Sequence, residues 1–273
     1  MAPKITHFRD LEFVAESFDP DTRTFLYTTF GLIGKDDEVY FGQLPIRKLK
    51  ISLEEYSSAL VRVSDADIYP KLPEGDEQLA IFRDEQPLAS NLYLKRPRLI
   101  EYDEYKNQDC VEVIPGLLLQ EARNLEAISR HPHPGIIGYH GCRVRRGFIT
   151  GLVLDRHPND LKNYAKDHGK PPLDKAAFLG ALESALAHLH SLGLAHNDLN
   201  PTNILISEEG MPVLIDFDSC LPVGQKLLYS RGTPGWTDES DSWDTSEFRH
   251  DTFAIGKVRA WLDEQLQVIE PSP

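Results

Sequence analysis

One stretch, residues 195–217, constrains what this chain can fold into more than any other. Its sequence, AHNDLNPTNILISEEGMPVLIDF, holds two short apolar runs on either side of a polar, glycine-containing turn. This pattern predicts a β-hairpin. Such a hairpin brings Asn203, before the first strand, beside Asp216, after the second. Their oxygens are the kind of ligand that Mg²⁺ on phosphate groups requires, and the nearby Asp198 is then free to accept a proton from a hydroxyl.

The same stretch resembles two motifs of the protein kinase superfamily. Residues 196–203, HNDLNPTN, resemble the catalytic loop H-R-D-L-x-x-x-N, and residues 216–218, DFD, resemble D-F-G. The separations, 203 − 198 = 5 and 216 − 203 = 13, fit the family. The resemblance implies an α+β, bilobal protein-kinase-like fold with a small β-rich N-lobe and a mainly helical, shortened C-lobe.

The resemblance also implies roles for individual residues. Asp198 is expected to be the catalytic base, and Asn203 and Asp216 are expected to bind Mg²⁺ and the nucleotide. Lys95 ends a short strand, residues 91–95, that is similar to the V-A-I-K strand, so it is expected to contact the α- and β-phosphates of ATP. A surface lysine at the end of a strand is the alternative interpretation.

Two further segments complete the expected ATP site. A helix predicted over residues 115–129 carries Glu121, which matches the family's partner of the strand lysine, with Glu126 as the alternative. A buried strand follows at residues 152–156. By resemblance Leu154 is its gatekeeper, and the backbone of the residues from Asp155 to His157 meets the adenine edge.

Other motifs extend the resemblance over roughly residues 75–265. The strongest helical periodicity lies at residues 174–192, just before the catalytic loop. The stretch 232–236, GTPGW, resembles the segment that precedes A-P-E. Residues 251–256 resemble D-x-W-x-x-G, whose Asp anchors the catalytic-loop backbone in the family. The helices that usually close the large lobe are expected to be missing.

The resemblance and the element pattern predict three segments. Residues 1–70 form an accessory hairpin-plus-helix, whose role the sequence does not reveal, residues 71–155 the kinase-like N-lobe, and residues 156–273 the C-lobe. Aromatic and β-branched runs predict the hairpin, and a capping box opens a helix at residues 52–63. Part of the N-lobe sheet is the alternative interpretation of this first segment. The acidic, proline-containing residues 64–90 predict irregular structure.

Charge and cysteine content narrow the partners and the compartment. The formal net charge of −14 disfavours nucleic acid and anionic membranes as partners. The sequence predicts neither a signal peptide nor a membrane span. Three widely spaced cysteines give neither a disulfide framework nor a zinc signature, so we expect an intracellular location, cytoplasmic or nuclear.

Several positions depart from the kinase pattern. Gly75 is the only glycine between residues 51 and 95, so the chain lacks the glycine-rich loop that covers phosphates. Tyr93 stands where a small residue would face adenine. Asn200 replaces a phosphate-contacting lysine, and Asn197 replaces the arginine that pairs with a phosphorylated activation loop. Asp218 replaces glycine and is either a further oxygen ligand or solvated.

These observations favour an ATP- and Mg²⁺-dependent phosphotransferase with a hydroxyl acceptor, Ser or Thr on a protein. Two alternatives remain open. One is a pseudokinase that serves as a binding or scaffold module, with Tyr93 in the nucleotide site. The other is a small-molecule kinase. The oligomeric state is not predicted.

Overall fold

The computed structural model describes residues 3–75, 78–83, 88–167, 169, 171, 173–227, 232–240 and 243–267. In chain order the strands are β1 (Phe13–Phe18), β2 (Phe25–Ile33), β3 (Val39–Leu44), β4 (Val61–Arg62), β5 (Leu92–Lys95), β6 (Tyr139–Arg145), β7 (Phe148–Asp155), β8 (Asn159–Asp160), β9 (Leu194–Ala195), β10 (Ile204–Ile206), β11 (Pro212–Leu214) and β12 (Leu221–Pro222). The α-helices are α1 (Leu53–Ala59), α2 (Asp65–Ile68), α3 (Tyr102–Asn107), α4 (Val113–Ser129), α5 (Leu161–Lys166), α6 (Lys175–Ser191) and α7 (Phe248–Gln267).

The chain forms two compact units, each assembled from separate stretches. The first takes its residues from Met1–Gln78, Arg96–Leu119 and Arg143–Gly151, and the second from Leu79–Lys95, Gln120–Cys142 and Leu152–Pro273. Together they mix sheets and helices, so the expectation of an α+β fold is confirmed. The division into segments 1–70, 71–155 and 156–273 stays a prediction.

The first unit contains a four-stranded antiparallel sheet in the order β1-β2-β3-β4. Its β2–β3 hairpin, in which Ile33 pairs with Val39, confirms that residues 1–70 contain a hairpin; that this segment is accessory stays a prediction. The sequence did not predict β1, which pairs along β2. Its sequence, FVAESF, lacks the alternation of apolar and polar residues that marks a one-sided strand.

Helix α1 packs against this sheet. Ser52 caps it as predicted: its hydroxyl accepts from the Glu55 amide, and the Glu55 carboxylate accepts from the Ser52 amide. Tyr56 is fully buried and meets the ring of Phe30 edge-on, with 4.7 Å between ring centroids. The helix ends at Ala59 rather than at residue 63, because the chain turns extended at Leu60 and enters β4.

A buried carboxylate ties the β2–β3 turn to the rest of the first unit. Asp37 is 0% exposed, and one of its oxygens accepts from Arg96 at 3.0 Å. Its second oxygen accepts from the Thr150 hydroxyl at 3.0 Å and lies 3.3 Å from Nε of Arg143. The backbone of Asp37 is left-handed, with φ of 59°, a conformation that Asp and Asn tolerate better than most residues.

The second unit confirms two central predictions. β10 and β11 form the hairpin expected after the catalytic loop, with Ile204 opposite Leu214, and β8 extends the sheet on the other side of β10. Helix α6 begins after its cap residue Asp174, and its apolar stripe is fully buried. The stripe consists of Phe178, Leu182, Ala185 and Leu189.

Other boundaries differ from the predictions. Helix α4 begins at Val113, two residues before the predicted start, because proline is tolerated in a first helical turn. Residues 64–90 are less irregular than expected, since they contain α2; residues 76–77 and 84–87 of that segment lie outside the described part. The sequence also missed α3. Within the described part of the chain, none of the helices is both long enough and apolar enough to cross a bilayer.

The buried carboxylate of Asp37 provides a test of this packing. We expect Asp37→Asn to lower the free energy of unfolding by about 3 kcal/mol, because it leaves the Arg96 and Arg143 cations without their counter-charge. Urea denaturation followed by far-UV circular dichroism measures the change. Asp36→Asn is the matched control, since the Asp36 side chain is exposed. Equal midpoints for the two variants would contradict a stabilising role for this ion cluster.

Candidate active site

The β10–β11 hairpin places Asn203 beside the residue that precedes Asp216. The Ile215 amide donates to the Asn203 carbonyl at 3.0 Å, so Asp216 follows directly after a residue bonded to Asn203. The Asn203 side-chain amide donates to the Asp198 carbonyl at 2.9 Å and to the Asp198 carboxylate at 3.0 Å. The Asn203 NH₂ group is therefore engaged by Asp198.

Lys95 joins two acidic residues that lie far apart in sequence. Its Nζ donates to Glu121 at 2.6 Å and to Asp216 at 2.6 Å. Lys95 ends β5 and Glu121 lies in α4, so the predicted lysine–glutamate pairing is present. The predicted alternative, Glu126, instead accepts from the Ala80 backbone amide at 2.8 Å.

In this cluster the ammonium and the carboxylates stabilise each other's charged forms. Burial disfavours the charge of Lys95, but the carboxylates of Glu121 and Asp216 outweigh burial and raise its pKa above the ordinary value. Burial also raises the pKa of Glu121, which the ammonium opposes. Contacts of 2.6 Å between the two groups favour the ion pair at neutral pH.

Asp198 is oriented by hydroxyl and amide groups. One carboxylate oxygen accepts from the Thr233 hydroxyl at 2.7 Å and from the Asn200 side chain at 3.3 Å. Asn200 also donates to Thr233 at 3.2 Å. Thr233 was missed as a site residue, although the GTP stretch at 232–234 was a signal that this segment approaches the catalytic loop.

Asn124 is a second site residue that sequence reasoning missed. It lies one turn after Glu121 on α4, is buried, and donates to the carbonyls of Phe217 at 2.7 Å and Cys220 at 2.6 Å. Glu121 accepts from the Phe217 amide at 3.1 Å. Two side chains of one helix thus bracket the segment that begins at Asp216. A polar residue beside the apolar stripe of α4 was the only signal in the sequence.

The catalytic loop is anchored to α7. Asp251 accepts from the backbone amides of His196 at 2.8 Å and Asn197 at 2.9 Å, which is the contact that the resemblance implied. His190 lies 2.8 Å from the same carboxylate. Asn197 and Asp216 both adopt left-handed backbone conformations, with φ of 64° and 68°. Strained positions of this kind concentrate at functional sites because surrounding contacts must hold them.

A cavity of about 380 Å³ adjoins these groups. Its lining includes Lys95, Leu154, Asp155 and Asp216, four of the five residues predicted to bind nucleotide; Asn203 is not in the lining, but its neighbour Thr202 is. The remaining lining residues are Tyr93, Ile137, Arg156, His157, Pro158, Asn159, Asp160, Asn163, Leu205 and Ile215. The lining thus combines apolar residues with the charged residues Lys95, Asp155, Arg156, Asp160 and Asp216.

The Tyr93 ring stands at this cavity without filling it. It is 48% exposed, and the Arg156 guanidinium lies 5.7 Å from its centroid. Arg156 also donates through Nε to the Leu92 carbonyl at 3.0 Å, which fixes the guanidinium beside the ring. The aromatic side chain therefore narrows the cavity and leaves space for a ligand.

The donor set fits a magnesium ion better than a softer metal. Among the described residues, no group of three His, Cys, Asp or Glu side chains could hold a metal ion. Asn203 and Asp216 offer an amide and a carboxylate oxygen, and Mg²⁺ is commonly bound by one or two such groups together with phosphate oxygens. Asp218, predicted as a possible further ligand, accepts from Ser219 at 2.9 Å. Burial and the Asp216 charge raise the pKa of Asp218 to about 6.

Comparison with known proteins gives concordant matches. The protein kinase domain model matches residues 101–238. The chain is 30% identical over 141 residues to the serine/threonine-protein kinase TAO1-B of Xenopus laevis, covering 51% of this chain and 14% of that protein. It is 36% identical over 134 residues to the human serine/threonine-protein kinase/endoribonuclease IRE2, covering 44% of this chain and 14% of that protein.

One further relative and one solved structure complete the comparison. The Tao kinase of Drosophila melanogaster is 32% identical over 150 residues, covering 53% of this chain and 13% of that protein. The chain thus spans about one seventh of the length of these curated relatives. The Cydia pomonella granulovirus kinase PK-1 aligns in structure with a TM-score of 0.43 and 23% identity, over 52% of this chain and 53% of that chain. Since the domain model covers half of the sequence, the chain belongs to the protein kinase family.

Proposed function

We propose that this chain is an ATP- and Mg²⁺-dependent phosphotransferase. One observation carries the proposal. Lys95 Nζ lies 2.6 Å from both Glu121 and Asp216, beside a cavity of about 380 Å³. A hydrophobic core gives no reason to collect a half-buried cation and two acids at one place, because removing charges from water costs free energy. Positioning the phosphates of a nucleotide does give such a reason.

Each residue of the site then has a distinct task. Lys95, held by Glu121, positions the α- and β-phosphates. Asn203 and Asp216 hold Mg²⁺, which when bound neutralises charge on the phosphate oxygens. Asp198 accepts the proton of the acceptor hydroxyl, and its hydrogen bonds from Thr233 and Asn203 aim the carboxylate before the acceptor arrives.

We propose Ser or Thr hydroxyls of a protein as the acceptor. The support is that the curated relatives bear the name serine/threonine-protein kinase. The chain's net charge of −14 favours a basic rather than an acidic partner and speaks against nucleic acid or an anionic membrane surface. A cytoplasmic or nuclear location stays a prediction.

A pseudokinase that binds partners without catalysis is the second candidate. It is favoured by the direct ion pair between Lys95 and Asp216, because this contact satisfies both charges without a nucleotide. A small-molecule hydroxyl acceptor is the third, favoured by Asn200, which stands where protein kinases carry a lysine. Assays with peptides, sugars and amino alcohols distinguish the acceptors.

Nucleotide binding gives the first test of the proposed function. At 100 times its dissociation constant, Mg·ATP should stabilise the chain by about 2.7 kcal/mol, measured as a rise in the melting temperature. Lys95→Met should abolish most of this shift, because it removes the phosphate-binding cation. Lys166→Met is the control, since Lys166 is an exposed residue at the end of α5. Lack of a shift with the wild-type chain would contradict nucleotide binding and favour the scaffold alternative.

Phosphate transfer gives the second test. Asp198→Asn keeps the shape of the side chain and removes its basicity, so we expect the turnover number to fall by roughly 10²–10⁴. Transfer of radiolabelled phosphate to a Ser/Thr peptide library measures this. Asp263→Asn is the control, because Asp263 is an exposed residue whose partner is Lys175. Equal turnover by Asp198→Asn and the wild type would remove Asp198 from the mechanism.

A further inference from the structure

Asn197 has a dense and neutral set of contacts for a residue next to the proposed base. Its side-chain NH₂ faces the Ala195 carbonyl at 3.0 Å, the Ser219 carbonyl at 3.0 Å and the Ser246 hydroxyl at 2.9 Å. The Ser246 hydroxyl donates to the Leu221 carbonyl at 2.9 Å, so it accepts from Asn197. Three acceptors around one nitrogen fix the orientation of the amide.

The Asn197 oxygen therefore needs a donor, and His250 provides it. Nδ1 of His250 lies 3.0 Å from Oδ1 of Asn197. Because that oxygen can only accept, the proton of the imidazole belongs on Nδ1. The Trp243 ring stacks on the imidazole at 3.9 Å and an interplanar angle of 9°.

The far nitrogen of this imidazole is isolated. His250 is 2% exposed, and Nε2 has no hydrogen-bond partner among the described residues. A second proton would therefore sit in a buried place without an acceptor, which is unfavourable. Burial accordingly lowers the pKa of His250, assisted by Arg249 and opposed by Glu247 and Asp251.

We propose that Asn197 and His250 form an uncharged positioning pair that holds the catalytic loop in its working conformation. This inference rests on the proposed phosphotransferase function. The pair connects the loop, the segment at residues 219–221 and the start of α7 through hydrogen bonds alone. The site is then assembled without a phosphorylated residue in the activation segment, since the pair contains no cation that a phosphate would engage.

The contacts that hold Asn197 also fix the position of Asp198. Asn197 immediately precedes it and is held left-handed, with φ of 64°, by its side chain and by the bond from its backbone amide to Asp251. Asparagine adopts this conformation more readily than arginine. Release of the Asn197 side chain would let the peptide before Asp198 rotate, and small displacements of a reacting group can reduce rates by about 10².

Two substitutions separate the hydrogen bond from the ring stack. His250→Phe keeps an aromatic ring against Trp243 and removes the donor to Asn197. His250→Asn places a nitrogen near the position of Nδ1 and removes the ring. His188→Phe is the matched control, because His188 is a half-buried histidine of the same unit whose imidazole lies 2.7 Å from the His131 carbonyl, outside this network.

Kinetics on the full chain test the pair. We expect His250→Phe to lower kcat at least tenfold while KM for Mg·ATP stays within twofold, because the base moves and the nucleotide contacts do not. His250→Asn should recover kcat to within threefold of the wild type. A kcat for His250→Phe within twofold of the wild type, or equal losses in both His250 variants, would overturn the proposal.

Two measurements test the proposal without kinetics: the wild-type tautomer decides it even if His250→Phe does not fold, and amide exchange decides it if the wild-type chain transfers no phosphate. In the wild type, long-range ¹H–¹⁵N correlation should find His250 protonated on Nδ1 alone at pH 7; the Nε2-protonated form or the imidazolium would overturn the pair.

In the variants, amide exchange at residues 195–203 should accelerate at least tenfold in His250→Phe and remain near wild type in His250→Asn. Unchanged exchange in His250→Phe would show that the pair does not hold the loop. Absence of transfer with the expected tautomer and exchange would remove the proposed function and leave the positioning role of the pair.

Discussion

The bridge that Lys95 makes between Glu121 and Asp216 is the interaction on which the site depends. Two carboxylates held close together repel each other, so the arrangement needs a cation at its centre. Glu121 also accepts from the Phe217 amide, and Asn124 holds the Phe217 carbonyl. One ammonium therefore joins a strand, a helix and the segment that carries the proposed metal ligand. Without the Lys95 ammonium, electrostatic repulsion would drive the Glu121 and Asp216 carboxylates apart.

The elements that could be predicted from sequence are those specified by residues close to one another in the chain. The β10–β11 hairpin and helix α6 have strong periodicity and clear turn signals, and both are present. The same hairpin placed Asn203 near Asp216, because twelve intervening residues suffice to close it. Lys95 and Glu121 were reached through resemblance rather than periodicity, since nothing near either residue specifies its partner.

The site residues that could not be predicted are those whose partners lie far away in the sequence. Asn124 donates to carbonyls that lie 93 and 96 residues away. The sequence does not show which side chain will bind a given backbone carbonyl. Thr233 is similar, because its partner Asp198 is 35 positions away. Strand β1 was missed because its sequence does not alternate between apolar and polar residues. Helix α3 has only six residues, and helices this short are specified by packing more than by pattern.

Two of the departures from the kinase pattern are of the same chemical kind. Asn197 and Asn200 are amides where the family pattern has cations, and both are fully engaged with neighbouring carbonyl, hydroxyl or carboxylate groups. Exchanging a charge for an amide removes long-range attraction for phosphate and leaves short, directional bonds that only neighbours can satisfy. Lys95 then carries a larger share of the positive charge near the cavity, where a glycine-rich loop is also missing from the sequence. The residues of such a site are positioned by hydrogen bonds to one another more than by electrostatic attraction to a charged substrate.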